Sequence, residues 1–368
     1  MYKITNHSFF KNYIKKCFYK DKNKNNNNKN NNNNIDKIYN NINKQDLIKN
    51  VLSNINIKDN IIKNALKNNS PIEEKLNIIV VISNPCLFIR RYQLFKEFIC
   101  RLEKEESNIN IFIVEMIYNN QEYMVTSSDN PNHLQLKTEI PLWHKENMIN
   151  VAVKKLLPKD YKAFAWIDAD IEFDSSTWVS DTLKLLNGTF DIVQLFSHCI
   201  FMDKDGSTLN NFNSNGYIHF NKILIKTVND YSHPGYAWAI TRELYEKIGY
   251  LFDKSILGGG DRIIINSIFN NINTFKKDYS KELFNSINNY SKELDFKYGY
   301  TPGIIKHYYH GERKNRQYTN RQLLYKKYNY NPNIHITYKN DILVPTDKFP
   351  KELINDIFKY FKERNEDE

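Results

Sequence analysis

Between Leu76 and Phe196 the chain alternates short apolar runs with segments whose apolar residues recur every three or four positions. Asn77–Ile82 (NIIVVI) is apolar almost throughout, the pattern of a strand buried on both faces of a parallel sheet. The periodicity then predicts a helix over Phe88–Leu102, a strand at Ile109–Val114 and a helix over Trp143–Leu157. A strand at Phe164–Ile167, a helix over Ser176–Leu186 and a strand at Asp191–Phe196 continue the series. Such alternation specifies an α/β domain on a mostly parallel sheet flanked by helices. Sheets of this kind bind ligands beyond the carboxyl ends of their strands, so chemistry is expected just after Ile82, Val114 and Ile167.

Upstream the texture differs. Lys20–Asn34 reads KDKNKNNNNKNNNNN, which has too little apolar surface to order itself and is expected to be a disordered tail. Leu47, Ile48, Val51, Leu52 and Ile55, and then Ile61, Ile62, Ala65 and Leu66, recur at helical spacing and predict two short amphipathic helices. Ser70-Pro71 marks the boundary before the first strand. The expected organisation is a low-complexity tail over 1–34, a helical extension over 35–75, the α/β domain over 76–336 and a helical extension over 337–368.

Composition narrows the classes. With 41% hydrophobic and 14% aromatic residues in 368, the chain has ample material for a core. It contains no apolar run of roughly 18 residues, so no membrane-spanning helix is expected. The basic N-terminus lacks the apolar stretch and small-residue cleavage site of a secretory signal. Cys17, Cys86, Cys100 and Cys199 form no CxxC pair and read as reduced thiols, so a cytoplasmic location is expected. The net charge of +10 is uneven: residues 1–75 carry 15 Lys against 6 Asp+Glu and no Arg. Lysine diluted in asparagine, without the arginine favoured for bidentate phosphate and base contacts, does not make a nucleic-acid partner the expectation.

Four segments carry candidate chemistry. Asp168 and Asp170 follow the third strand in WIDADIEF, and side-chain alternation sends both the same way. Two hard oxygen ligands at a strand end suit Mg²⁺ or Mn²⁺ bridging a diphosphate; the alternative is a solvated turn. In HPGYAW, Gly235 permits close approach of a ligand, and Trp238 offers a flat face for a sugar or serves as an ordinary buried residue at the start of a strand entering helix Arg242–Ile248. Gly258-Gly259-Gly260-Asp261 puts three of the 11 glycines before one acid, which is either exposed for chemistry or a simple helix cap. Last, HYYHGER places His307 and His310 three residues apart after an apolar stretch at Gly303–Ile305. Arg313 and Arg316 follow it, suited to a departing diphosphate or to a solvated loop.

WHKEN, DAD, HPGYAW, GGGD and HG-R, in that order between Leu76 and Ile336, resemble elements of family-2-like glycosyltransferases of the Rossmann-like GT-A fold. The resemblance implies a glycosyltransferase of the hexosyltransferase kind that moves a sugar from a nucleotide-sugar donor, with UDP the expected nucleotide, to an acceptor hydroxyl. It places the metal on Asp170 and His310, with Asp168 on the metal or the donor ribose, and an imidazole ligand favours Mn²⁺ over Mg²⁺. It assigns Asp261 as the base of an inverting transfer, although this chain has Gly-Asp where many members have Glu-Asp. Donor contacts are expected at Asn84, Pro85, Arg91, Glu115, Lys145 and Asn147, any of which could equally be a surface polar residue. The acceptor, whether glycan, protein or small molecule, is not specified. The competing readings are a sugar nucleotidyltransferase, which needs a glycine-rich phosphate cradle that Ser83–Arg91 lacks, and a non-catalytic module of the same fold.

Overall fold

A computed structural model describes residues 61–223, 232–269, 271–292, 295–318 and 320–368. All of them belong to one compact unit spanning residues 57–368. The expected tail over 1–34 and the first helix of the extension lie outside the described residues, while 61–68 is helical, as the spacing of Ile61 to Leu66 requires.

In chain order the strands are β1 (Leu76–Ser83), β2 (Ile109–Tyr118), β3 (His133–Thr138), β4 (Ala163–Ile167), β5 (Ile171–Phe173), β6 (Ile192–Gln194) and β7 (His198–Met202). They continue as β8 (Thr208–Ser214), β9 (Ser232–His233), β10 (Ala237–Thr241), β11 (Tyr298–Tyr300), β12 (Ile304–His307), β13 (Ile336–Lys339) and β14 (Ile342–Pro345). The fold is mixed α/β. Its central sheet runs β11-β6-β10-β4-β1-β2-β3 and is parallel except where β10 enters antiparallel between β4 and β6. A smaller mixed sheet, β5-β12-β7-β8-β9, adjoins it in sequence at the end of β4, and β13 pairs with β14 in a hairpin.

The continuous apolar run at β1 is explained by its neighbours. Ile78, Val80 and Ile82 face a core completed by Phe95 and Phe98 of the helix Ile89–Glu105 and by Trp178 and Leu183 of the helix Trp178–Leu185. Ile79, one residue out of phase, faces the opposite core with Val114, Trp166, Trp238 and Met148 of the helix Lys145–Lys155. Side chains of a strand alternate between faces, so a strand covered on both sides has no polar phase. A third apolar cluster, with Phe252, Phe275, Tyr325 and Leu353, joins the helices after β10 to the helix Lys351–Glu363. The 337–368 segment is therefore a hairpin strand pair followed by one helix, not helix alone. Two boundaries also differ from expectation: β2 runs on to Tyr118, and the helix expected from Trp143 begins at Lys145. No described helix is long and apolar enough to cross a membrane.

Candidate active site

A cleft of about 650 Å³ opens beyond the carboxyl ends of β1 and β4. Asp168 and Asp170 occupy the turn where the chain leaves β4 and enters β5. The Asp168 amide donates to the Tyr236 carbonyl at 2.7 Å, and the Tyr308 amide donates to the Asp170 carbonyl at 2.8 Å. β12 pairs antiparallel with β5 so that His307 lies opposite Ile171, one residue from Asp170. His310 follows after one further turn. Its Nε2 sits 2.9 Å from Asp170 Oδ2, and His307 Nε2 is 3.6 Å from the same oxygen.

One ligand atom from each of Asp170, His307 and His310 fits within 4.8 Å of the others. Asp170 Oδ1 and His307 Nδ1 are buried without a hydrogen-bond partner. Burial alone would raise the Asp170 carboxyl, but the two imidazoles facing it outweigh that and hold it well below the usual range. Burial, in turn, lowers His307 and favours its neutral ring. A carboxylate oxygen beside neutral imidazole nitrogen is the donor set that a divalent cation such as Mn²⁺ accepts. Both histidines of HYYH thus belong to the cluster, where the resemblance implied only His310. The His307 ring is held between Phe201, stacked at 4.8 Å, and Tyr236 at 4.7 Å. Tyr236 itself adopts φ +81°, a conformation that costs a non-glycine residue about 1–3 kcal/mol and recurs at functional sites.

Beside this cluster stands a second group. Lys145 Nζ lies 2.6 Å from Asp168 Oδ1 and 3.5 Å from Asp261 Oδ2. Burial opposes the charge on Lys145, yet Asp168, Asp261 and Glu146 together outweigh it and raise its pKa. Burial pushes Asp168 up to about 6, against the pull of Lys145. Asp168 therefore faces a lysine, and among the described residues the three-ligand cluster does not include it. Asp261 opens the helix Gly260–Ile268, and Gly235 explains itself here: a Cβ on it would lie 2.9 Å from Asp261 Oδ2. The glycines before Asp261 serve packing as well as turning. A Cβ on Gly260 would sit 2.1 Å from Glu146 Oε1, and one on Gly258 would press on the Trp143 ring at 3.0 Å. WHKEN and GGGD are two sides of one contact.

The remaining expected residues divide. Pro85, Arg313 and Arg316 line the cleft, and Arg316 Nη2 lies 2.7 and 2.8 Å from the two ring nitrogens of His310. Asn84 also lines it, but its side chain closes a local loop, donating to the Phe88 carbonyl at 2.8 Å and accepting from the Phe88 amide at 3.0 Å. Arg91 forks onto Glu366 at 2.6 and 2.8 Å, so its guanidinium is engaged there. Three others stand away from the cleft. Glu115 is in the middle of β2, where its carboxylate accepts from the Met124, Val125 and Thr126 amides at 2.7, 3.1 and 3.0 Å and so holds a loop. Asn147 ties Asp253 and the β13–β14 hairpin to its helix, donating to the Asp341 carbonyl at 3.0 Å and accepting from the Leu343 amide at 3.0 Å. Trp238 is 0% exposed, stacked on Trp166 across β10 and β4 at 6.0 Å, with its indole N–H on the Pro234 carbonyl. It is core, and the sugar-stacking alternative is set aside.

Sequence reasoning missed Glu146 and Glu366. Burial pushes the Glu146 carboxyl up to about 8. Burial would likewise raise Glu366, but Arg364 and Arg91 outweigh it and hold that carboxylate well below the usual range. Glu146 was within reach, since it sits inside WHKEN; Glu366 lies in an acidic run that reads as solvated.

No protein-family model matches the sequence, and no curated protein is similar to it. Among solved structures the chain is similar to the catalytic domain of Drosophila β1,4-galactosyltransferase 7 in complex with xylobiose, at 11% identity and TM-score 0.33, over 54% of this chain and 62% of that one. It is also similar to a mannosyltransferase from Pyrobaculum calidifontis in complex with GDP-Man and Mn²⁺, at 11% identity and TM-score 0.34, over 82% of this chain and 75% of that one. An inositol-1-phosphate CTP transferase from T. maritima aligns at 8% identity and TM-score 0.30, over 64% of this chain and 89% of that one. The chain thus spans less than two thirds of the galactosyltransferase structure.

Proposed function

We propose that the chain is a metal-dependent glycosyltransferase of the GT-A kind, moving a sugar from a nucleotide-sugar donor, with UDP the expected nucleotide, to an acceptor hydroxyl with inversion. One observation carries the reading. The Asp170–His307–His310 cluster and the Asp261 carboxylate open into the same cleft at the carboxyl ends of the strands, bridged by Lys145 and Asp168. Asp170, His307 and His310 would hold the cation, Mn²⁺ rather than Mg²⁺ given two imidazoles. A cation held there would supply positive charge to offset that developing on the leaving diphosphate. Lys145, Arg313 and Arg316 add positive charge on the same cleft wall, where electrostatic stabilisation of the leaving group is most effective. Asp261 takes the proton from the acceptor hydroxyl as that oxygen attacks the anomeric carbon. A single base suffices for inversion, whereas retention through a covalent intermediate calls for a second, nucleophilic carboxylate. Lys145, 3.5 Å from Asp261 Oδ2, orients that base. Glu115, Asn147 and Trp238 have no part in this scheme.

The test is release of nucleotide from UDP-sugars with and without Mn²⁺, followed by the anomeric configuration of the product by NMR. Asp261→Asn should reduce turnover by roughly 10²–10⁴-fold while leaving donor binding intact, and the product anomer should be inverted. Asp170→Ala should abolish the stabilisation that Mn²⁺ and nucleoside diphosphate give the folded protein. Near-normal turnover in Asp261→Asn, or a retained anomer, removes Asp261 from the mechanism. Metal-independent turnover in Asp170→Ala removes the metal.

A further inference from the structure

Residues 364–367 form a strap on the wall of the cleft. The Glu366 side chain is fully buried, and its carboxylate accepts from Arg91 at 2.6 and 2.8 Å and from Arg364 Nε at 2.7 Å. It also lies 3.5 Å from Arg316 Nη1 and 3.8 Å from His310 Nδ1. Asp367 accepts from the Ile89 and Arg90 amides at 3.1 and 2.8 Å, pinning the strap to the first turn of the helix Ile89–Glu105. Gly311 makes the seat: its φ is +88°, and a Cβ there would lie 2.7 Å from the Asn365 carbonyl and 3.1 Å from that of Arg364. The glycine after His310 is therefore a contact with the strap.

Arg316 presses a guanidinium against the same imidazole whose Nε2 faces Asp170. A positive group on a ligating ring disfavours a cation on that ring unless negative charge offsets it, and at short range in a buried site the offset is large. Glu366 faces Arg316 on one side and the His310 Nδ1 edge on the other. We propose that Glu366 is the positioning residue of His310: it offsets the charge of Arg316 and, by holding Arg316 against the ring, keeps the imidazole with Nε2 turned toward the cation. The inference rests on the metal reading above and adds that the site is incomplete without residues 364–367. Carboxylates that orient a ligating histidine typically account for 10–100-fold in metal affinity.

The experiment is a Mn²⁺ titration of the full chain followed by electron paramagnetic resonance, with a thermal melt of each variant. Glu366→Gln and Gly311→Ala should each weaken Mn²⁺ binding by roughly 10–100-fold, the second without altering any charge. Glu366→Asp should recover part of the loss. Asp356→Ala, which removes an exposed ion pair to Lys327 from the helix just before the strap, should bind Mn²⁺ as the wild type does. Wild-type affinity in a folded Glu366→Gln or Gly311→Ala protein overturns the inference while leaving the metal reading intact. If Glu366→Gln does not fold, Gly311→Ala and Glu366→Asp decide it by the same affinities. Equal weakening in Asp356→Ala would reduce the effect to general loosening and overturn it as well. A wild type that binds no Mn²⁺ removes the metal reading itself.

Discussion

Gly260→Ala adds one methyl group at the meeting of WHKEN and GGGD. Its Cβ would fall 2.1 Å from Glu146 Oε1, 2.4 Å from Cδ and 2.7 Å from Cγ. Comfortable heavy-atom contacts lie at roughly 3.5 Å, so either Glu146 or the start of the helix Gly260–Ile268 must move by on the order of 1 Å. Glu146 is 4% exposed and has little room to yield. Overpacking of this kind costs about 1–3 kcal/mol. Alanine's better helix propensity returns up to about 1 kcal/mol, leaving a net loss of about 0–2 kcal/mol where the return is full. The larger effect is on rate, because Asp261 is the next residue. Displacing a reacting group by about 1 Å can lower turnover by roughly 10²-fold. Urea melts and steady-state transfer rates should be measured for Gly260→Ala, Glu146→Ala and the double variant. Glu146→Ala removes the three atoms nearest the new methyl. The double variant should therefore lose less than the two single changes summed, a coupling that a cycle isolates. Wild-type turnover in Gly260→Ala, or simple additivity in the cycle, would refute the packing explanation.

Two further outcomes follow from burial. Trp238→Ala removes a stacked core indole and should lower unfolding free energy by about 3–5 kcal/mol in a denaturant titration, with donor affinity of the folded fraction unchanged; a selective loss of donor affinity would restore Trp238 to the site. His144 is buried with Nε2 on the Leu343 carbonyl at 2.9 Å, and burial lowers its pKa from 6.5 to about 4. The folded state therefore favours the neutral ring more strongly than the unfolded chain does, so stability is full above pH 6.5 and falls as pH drops toward 4, by roughly 3 kcal/mol at most. His144→Gln should flatten that slope in pH-dependent melts; an unchanged slope would place the acid lability elsewhere.

What could be read from sequence followed from how each segment is covered. β1 was legible because both of its faces are buried, which leaves an unbroken apolar run. β8 was not: TLNNFNS lies between β7 and the two-residue β9 with most side chains exposed, and no apolar alternation marks it. The direction of β10 was equally hidden, since AWAIT is buried on both faces whichever way it runs. In the site, Asp168, Asp170, Asp261 and the two histidines were visible because short-range pattern placed them at strand or helix ends. The partners of Glu115, Asn147 and Arg91, at residues 124–126, 341–343 and 366, were not legible because they come from turns and tails whose positions no local pattern encodes.

The β5–β12 pairing also guards its own register. Lys306 stands opposite Glu172 and bonds it at 2.7 Å, while Tyr308 bonds the same carboxylate. A strand's side chains alternate, so these contacts lie on the face away from His307. Sliding β12 by one residue would bring Lys306 or Tyr308 to the position of His307 and leave Glu172 facing an isoleucine or a histidine. The ion pair on the back of the strand thus acts as a key that admits only one alignment, and the alignment it admits is the one that assembles the acid–histidine cluster on the front.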